Sequence, residues 1–291
     1  MSRSGILLAA ALVASALGAA GQAGAAGPDE AGQYAALLEK KAPMIVTVRA
    51  VMKTEINFGG QGQNQESREE IAGVVVDESG LVMVSYDSFK SSDEGSGSFQ
   101  LKRTPQEIKV IFEREEKEYD ADLVATDKNV NLAFLKVRDL EGRELSVARF
   151  DESADVEVGQ KVAAVGRLKK GYDYAPHVRS AVVSGRIKKP RKALILDGGV
   201  TTEGLPVYTM DGAMVGVLTT LETGVGEEDG SSLGFLSMMG GGGGQSFVLP
   251  AKVIGKLVEQ AKKQADEVAA EKAEEEKEPS RKEGSDSEED G

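Results

Sequence analysis

Apolar residues in this chain alternate with polar ones or run together over short stretches, and polar, glycine-bearing segments separate them. Ile45-Val46-Thr47-Val48-Arg49-Ala50-Val51 has the two-residue period of a strand. Residues 71–76 are rich in β-branched side chains, and Leu81-Val82-Met83-Val84 follows them after a turn at Asp77-Glu78-Ser79-Gly80, which predicts a hairpin. Further strands are predicted at 107–113, 118–125 and 132–137, the last a continuous apolar run suited to burial. The polar, glycine-rich segments 58–64 and 91–98 predict surface loops. From Asp151 the pattern restarts, with short strands predicted at 161–165, 178–183, 193–196, 206–208, 214–218 and 246–249. Helical spacing occurs only near the two ends, at 33–41, which Pro43 stops, and at 253–267, where Val253, Ile254, Leu257, Val258 and Ala261 share a face. Two similar all-β halves follow from this pattern, as two packed barrels or one large sandwich.

Composition narrows the chemistry. The 291 residues include no cysteine and a single histidine, His177, so disulfides, thiolate nucleophiles and clusters of imidazole ligands are excluded. Any metal would be a hard cation held by oxygen ligands. Met1-Ser2-Arg3, an apolar run over 6–17 and the small residues Ala23-Gly24-Ala25 have the order of a secretory signal peptide, with cleavage expected after Ala25 or Ala26. The apolar run is too short for a membrane span, which needs about 20 residues. The net charge is -13, and residues 266–291 hold twelve Asp or Glu against four Lys or Arg. That segment predicts an acidic, partly disordered tail with a helical start. No basic footprint for nucleic acid or an anionic membrane is present, and the basic stretches at 169–171 and 188–192 are taken as solvated turns. Ser237-Met238-Met239 and the glycines after them predict a mobile insertion with adaptable apolar contacts.

Four blocks, in order, resemble the protease domain of the HtrA-type (DegP-like) branch of trypsin-like serine proteases, over roughly 35–265. They are Gly73-Val74-Val75-Val76-Asp77-Glu78-Ser79-Gly80-Leu81-Val82-Met83-Val84, the stretch from Ala121 through Asp127-Lys128-Asn129-Val130-Asn131-Leu132-Ala133-Phe134 to Lys136, the pair Val162-Ala163-Ala164-Val165-Gly166 and Val178-Arg179-Ser180-Ala181-Val182-Val183-Ser184-Gly185, and Gly204-Leu205-Pro206-Val207-Tyr208 through Asp211-Gly212 to Val217. The resemblance implies an all-β fold, a trypsin-like tandem Greek-key double β-barrel with a short N-terminal helix and a C-terminal helix. The implied organisation is a signal peptide at 1–25, a first barrel at 30–145, a second at 146–265 and the tail at 266–291. The peptide-sensing PDZ-like module of many HtrA-type proteins is not expected.

Carried over residue by residue, the family's catalytic histidine falls on Asp87, its aspartate on Asn131 and its serine on Glu203. A triad needs a nucleophile, an imidazole that takes its proton and a carboxylate that orients the imidazole, so no catalytic residue is expected. Thr201 and Leu205 stand where the nucleophile loop usually has glycines, and the carboxylate of Glu203 is expected to fill the oxyanion hole. His177 falls at the start of a second-barrel strand, where a surface or strand-end role is expected rather than that of a base for Thr201 or Thr202. Asp87 and Glu203 are the candidates for a calcium or magnesium ion, although no cofactor is expected.

The reading that follows is an inactive, exported HtrA-like homologue, periplasmic or secreted, that binds a polypeptide or partner protein along the old substrate cleft. Two alternatives stay open. One is an active serine-type hydrolase using Ser85 or Ser88. The other is a structural envelope-assembly protein acting through its tail or its first helix.

Overall fold

The computed structural model describes residues 28–58, 61–89, 92–96, 99–151, 153–189, 191–221 and 246–275. The signal-peptide reading, the Met238-Met239 segment and the acidic end from 276 onward lie outside the described residues.

The chain opens with helix α1, Pro28–Lys41, whose first turn carries Asp29 and Glu30 and whose last carries Lys40 and Lys41, signs that suit the helix dipole. Pro43 turns it into a short 3-10 segment, Ala42–Met44. Seven strands follow: β1 Ile45–Phe58, β2 Gln61–Asp77, β3 Leu81–Ser85, β4 Ser92–Ser96, β5 Phe99–Phe112, β6 Tyr119–Asp127 and β7 Leu132–Val137. Six of them close a ring in the order β1-β2-β3-β7-β6-β5, because β1 pairs with both β2 and β5, while β4 extends the sheet beyond β5. The second set is β8 Lys161–Arg167, β9 Pro176–Ile187, β10 Ala193–Gly198, β11 Pro206–Thr209, β12 Met214–Thr220 and β13 Ser246–Pro250. It closes as β8-β9-β10-β13-β12-β11. Both barrels take the same path, three strands in order and three in reverse, so the two halves repeat one topology. This is the tandem double barrel that the resemblance implies.

Burial explains which strands read as alternating and which as solid apolar runs. Each barrel has its own interior core, Val48, Val82, Val110 and Leu135 among others in the first, and Val162, Val183, Val207 and Val248 in the second. A third core lies outside both interiors and joins them: Met83, Leu132 and Phe134 of the first barrel meet Ala163, Val165, Tyr208 and Val217 of the second, with Leu37 of α1 and Ile254 and Val258 of the last helix. β3 therefore buries Val82 and Val84 inward and Leu81 and Met83 outward. β7 does the same, which is why its run is unbroken.

Two loop expectations are corrected. The described parts of these segments are strands: β1 continues to Phe58, paired with β2 from Gln61 and with β5 from Phe99, and 92–96 pairs with 99–103. This sheet projects beyond the barrel, with residues 62–66 exposed. Its composition marks the absence of an apolar face to bury, and the backbone ladder forms regardless.

The last helix, α2, covers Ala251–Glu275, extending past the predicted end and into the acidic stretch. Gly255 lets it lie directly on the segment after β7, since a Cβ there would stand 2.9 Å from the carbonyl oxygen of Phe150. Lys262 Nζ reaches Asp77 Oδ2 at 2.8 Å. Burial alone would raise the Asp77 carboxyl, but Lys262 and the Ser79 hydroxyl and N–H outweigh it and hold the group down to about 2.

Candidate functional site

The junction between the barrels is centred on Asn131. It follows a 3-10 turn, Lys128–Val130, which Asp127 caps by accepting the N–H of Asn129, and it adopts the left-handed conformation, φ 49° and ψ 44°. Asparagine is one of the few residues that tolerates this region at low cost. Asn131 is 4% exposed. Its amide Nδ2 donates to Glu203 Oε2 at 2.6 Å and stands 3.1 Å from Asp87 Oδ2 and 3.2 Å from Ser85 Oγ. Its Oδ1 accepts the N–H of Asp87 at 2.8 Å, and its own carbonyl accepts the N–H of Tyr86 at 3.0 Å. The structure thus brings together Asp87, Asn131 and Glu203, which are far apart in the chain.

Glu203 arrives from the second barrel. Besides the Asn131 amide, its carboxylate accepts the Thr220 hydroxyl and, at 2.8 Å, that of Ser246. Every partner of this carboxylate among the described residues is a side chain. Three side-chain donors thus hold it, and the neighbouring N–H of Gly204 is given to Leu218 O at 2.8 Å. At Gly204 the backbones of the two barrels lie close together. Its φ is 79°, and a Cβ would stand 2.6 Å from the Ser85 nitrogen. Asp87 and Glu203, the candidate cation ligands, share the Asn131 amide as a common donor; among the described residues no group of three or more potential ligands is assembled.

Beside this cluster opens a cleft of about 380 Å³, lined by residues of both barrels, among them Ser85, Ser88, Thr202, Glu203 and His177. His177 sits in β9 opposite Gly166. Its ring packs against that glycine, where a Cβ would stand 3.0 Å from Cε1. Nε2 accepts from Arg179 Nε at 3.4 Å, and Nδ1 is buried without a partner. Desolvation, aided by Arg179, lowers its pKa. Among the described residues no carboxylate orients this imidazole. Thr201 is exposed and forms no part of this cleft's lining, whereas Thr202 does.

Residues 70–72 form another wall of the cleft. There β2 is paired with β1 alone, because β3 joins it only from Val74 onward. Among the described residues the cleft is therefore bordered by a strand with one free edge. Arg167, also in the lining, reaches across to donate to the carbonyls of Ile45 at 2.6 Å and Ala42 at 2.8 Å, and within its own half to that of Tyr174 at 3.2 Å. The sequence blocks gave no sign of Arg167, Thr220 or Ser246 as site residues, since each lies in or beside an ordinary strand and acquires its role from register alone.

The chain is 29% identical, over 157 residues, to a protein of Marinomonas sp. (strain MWYL1) named probable periplasmic serine endoprotease DegP-like; the match covers 50% of this chain and 28% of that protein's own length. The trypsin-like peptidase domain family matches residues 71–217, which is half of the 291 residues and runs from the free-edged part of β2 through the Asn131 junction to β12. By that match, and by its paired six-stranded barrels, the chain belongs to the trypsin-like peptidase domain family.

Proposed function

We propose that this protein is an exported, catalytically inactive member of its family that binds an extended polypeptide in the cleft between its barrels. The observation that carries the reading is the closed cluster of Asp87, Asn131 and Glu203, in which the amide of Asn131 serves both carboxylates. Such a cluster contains no imidazole, the base that a serine triad requires, and the hydroxyls it does hold, those of Thr220 and Ser246, are tied to the Glu203 carboxylate. The free edge of β2 supports peptide capture, because an added strand is held by backbone hydrogen bonds that do not depend on a triad. The periplasmic name of the similar protein and the order of charge, apolar run and small residues at the N-terminus support export.

A second reading, an active serine-type hydrolase, is favoured by one observation: Ser85, Ser88 and His177 line the same cleft. Against it stand the Arg179 contact on Nε2 and the lack of a carboxylate for the ring. The test is cleavage of unfolded casein by the purified chain, with and without calcium, beside labelling by a serine-directed fluorophosphonate. We expect neither cleavage nor labelling. Labelling that disappears in Ser88→Ala would establish the second reading, and cleavage that disappears in Glu203→Gln would replace both with carboxylate chemistry.

A further inference from the structure

The charged groups of the cleft are not equally satisfied. Its two carboxylates are occupied: Glu203 by three side-chain donors, and Glu70 by the Lys170 N–H at 3.0 Å and Arg49 Nη2 at 3.5 Å. Its two cations are not matched in the same way. Arg167 donates only to carbonyl oxygens and makes no ion pair among the described residues, and Lys169, exposed at the cleft rim, makes none either. Burial works against the charge of Arg167, with Glu113 and Arg114 acting on it in opposite senses. His177 lines the same cleft, and its buried Nδ1 has no partner among the described residues. Three of the five N–H groups of Arg167 are given to carbonyls, and the two left over, on a half-buried guanidinium with no ion pair among the described residues, suit a ligand carboxylate.

We propose that the cleft selects polypeptide segments bearing a carboxylate, seated against Arg167 and Lys169 while the backbone adds to the free edge of β2. This rests on the peptide-binding reading above. The acid can come from a chain's C-terminus or from an Asp or Glu side chain; both offer the planar pair of oxygens that a guanidinium binds. Glu203 cannot supply it, since its oxygens already hold Asn131, Thr220 and Ser246.

Fluorescence anisotropy on the full chain tests this with short fluorescein-labelled peptides of alternating Val and Thr. In one pair the C-terminus is a free acid or an amide. In the other the terminus is amidated and a central residue is Glu or Gln. Binding of at least one acid-bearing peptide about tenfold tighter than its neutral twin is expected, with the difference shrinking in high salt. The pair that shows the difference identifies the source of the acid. Lys169→Glu, at an exposed position that leaves the fold intact, should abolish the preference while backbone-driven binding persists, and Arg167→Lys should weaken it. Equal binding of acid and neutral peptides overturns the carboxylate selectivity but leaves cleft binding standing. No binding of any of the four overturns cleft binding itself, and the selectivity with it.

Discussion

Replacing Glu203 by alanine removes the acceptor of three donors at once, the amide of Asn131 and the hydroxyls of Thr220 and Ser246. Each charge-assisted bond lost at a half-buried site costs about 1 to 2 kcal/mol, so Glu203→Ala should destabilise the protein by about 3 kcal/mol in urea unfolding. Glu203→Gln should recover only part of this. Its carbonyl can face Asn131 Nδ2 while its NH2 meets the Thr220 and Ser246 hydroxyls, which then accept, but the charge that strengthened these bonds is gone. A loss below about 0.5 kcal/mol in the alanine variant would show the cluster to be no structural tie. The adjacent Gly204 is constrained twice over, by its positive φ and by the Ser85 nitrogen 2.6 Å from any Cβ. Gly204→Ala should therefore cost more than 2 kcal/mol, roughly, since the backbone neighbour cannot move aside as a side chain would. At this scale the sequence marked Asp87, Asn131 and Glu203 through the order of their blocks. It was silent on Thr220 and Ser246, because a hydroxyl at a strand end carries no signal until the register aims it.

At the level of elements, α2 is pinned to the first barrel by a cation on the helix and an acid on the β2 turn. The Asp77 carboxyl is held down to about 2 by Lys262 and Ser79, below its ordinary value of 3.8. The contribution is therefore fully present above about pH 4 and is lost as the pH falls through about 2. Taken whole, the shift corresponds to about 2 kcal/mol, and the partial exposure of the pair reduces it to about 1 kcal/mol. Asp77→Asn should lose that amount at neutral pH, and its stability should fall less steeply than that of the parent between pH 4 and 2. Equal acid slopes in the two proteins would assign the tie no role. The elements themselves were unevenly legible. β3 and β7 stood out because both faces are buried, and α2 because its apolar stripe meets the shared core. The tip where β1 gives way to β2, 58–64, reads as loop, since pattern reports burial and a projecting sheet buries little.

At the scale of the whole molecule the two barrels are joined along a common midline. The shared core takes residues from both barrels and both helices, and polar ties cross the same plane: Asn131 to Glu203, the Thr219 hydroxyl to the carbonyl of Val130, Arg49 to Tyr174 at 3.3 Å, and Arg167 to Ile45. Two halves with identical strand order need not unfold together, because each has an interior of its own. Their coupling depends on the third core. Met83 is fully buried there, on the outer face of β3. Truncating it to alanine should cost about 2 to 5 kcal/mol, and hydrogen exchange reports how that loss is distributed. If the barrels are one cooperative unit, the slowest amides of β3 and of β12 should lose protection by the same factor. Faster exchange confined to the first barrel would instead mean that the cleft lies between two independently opening bodies. A bound peptide would then stabilise the closed arrangement, and adding it would slow exchange in both barrels at once.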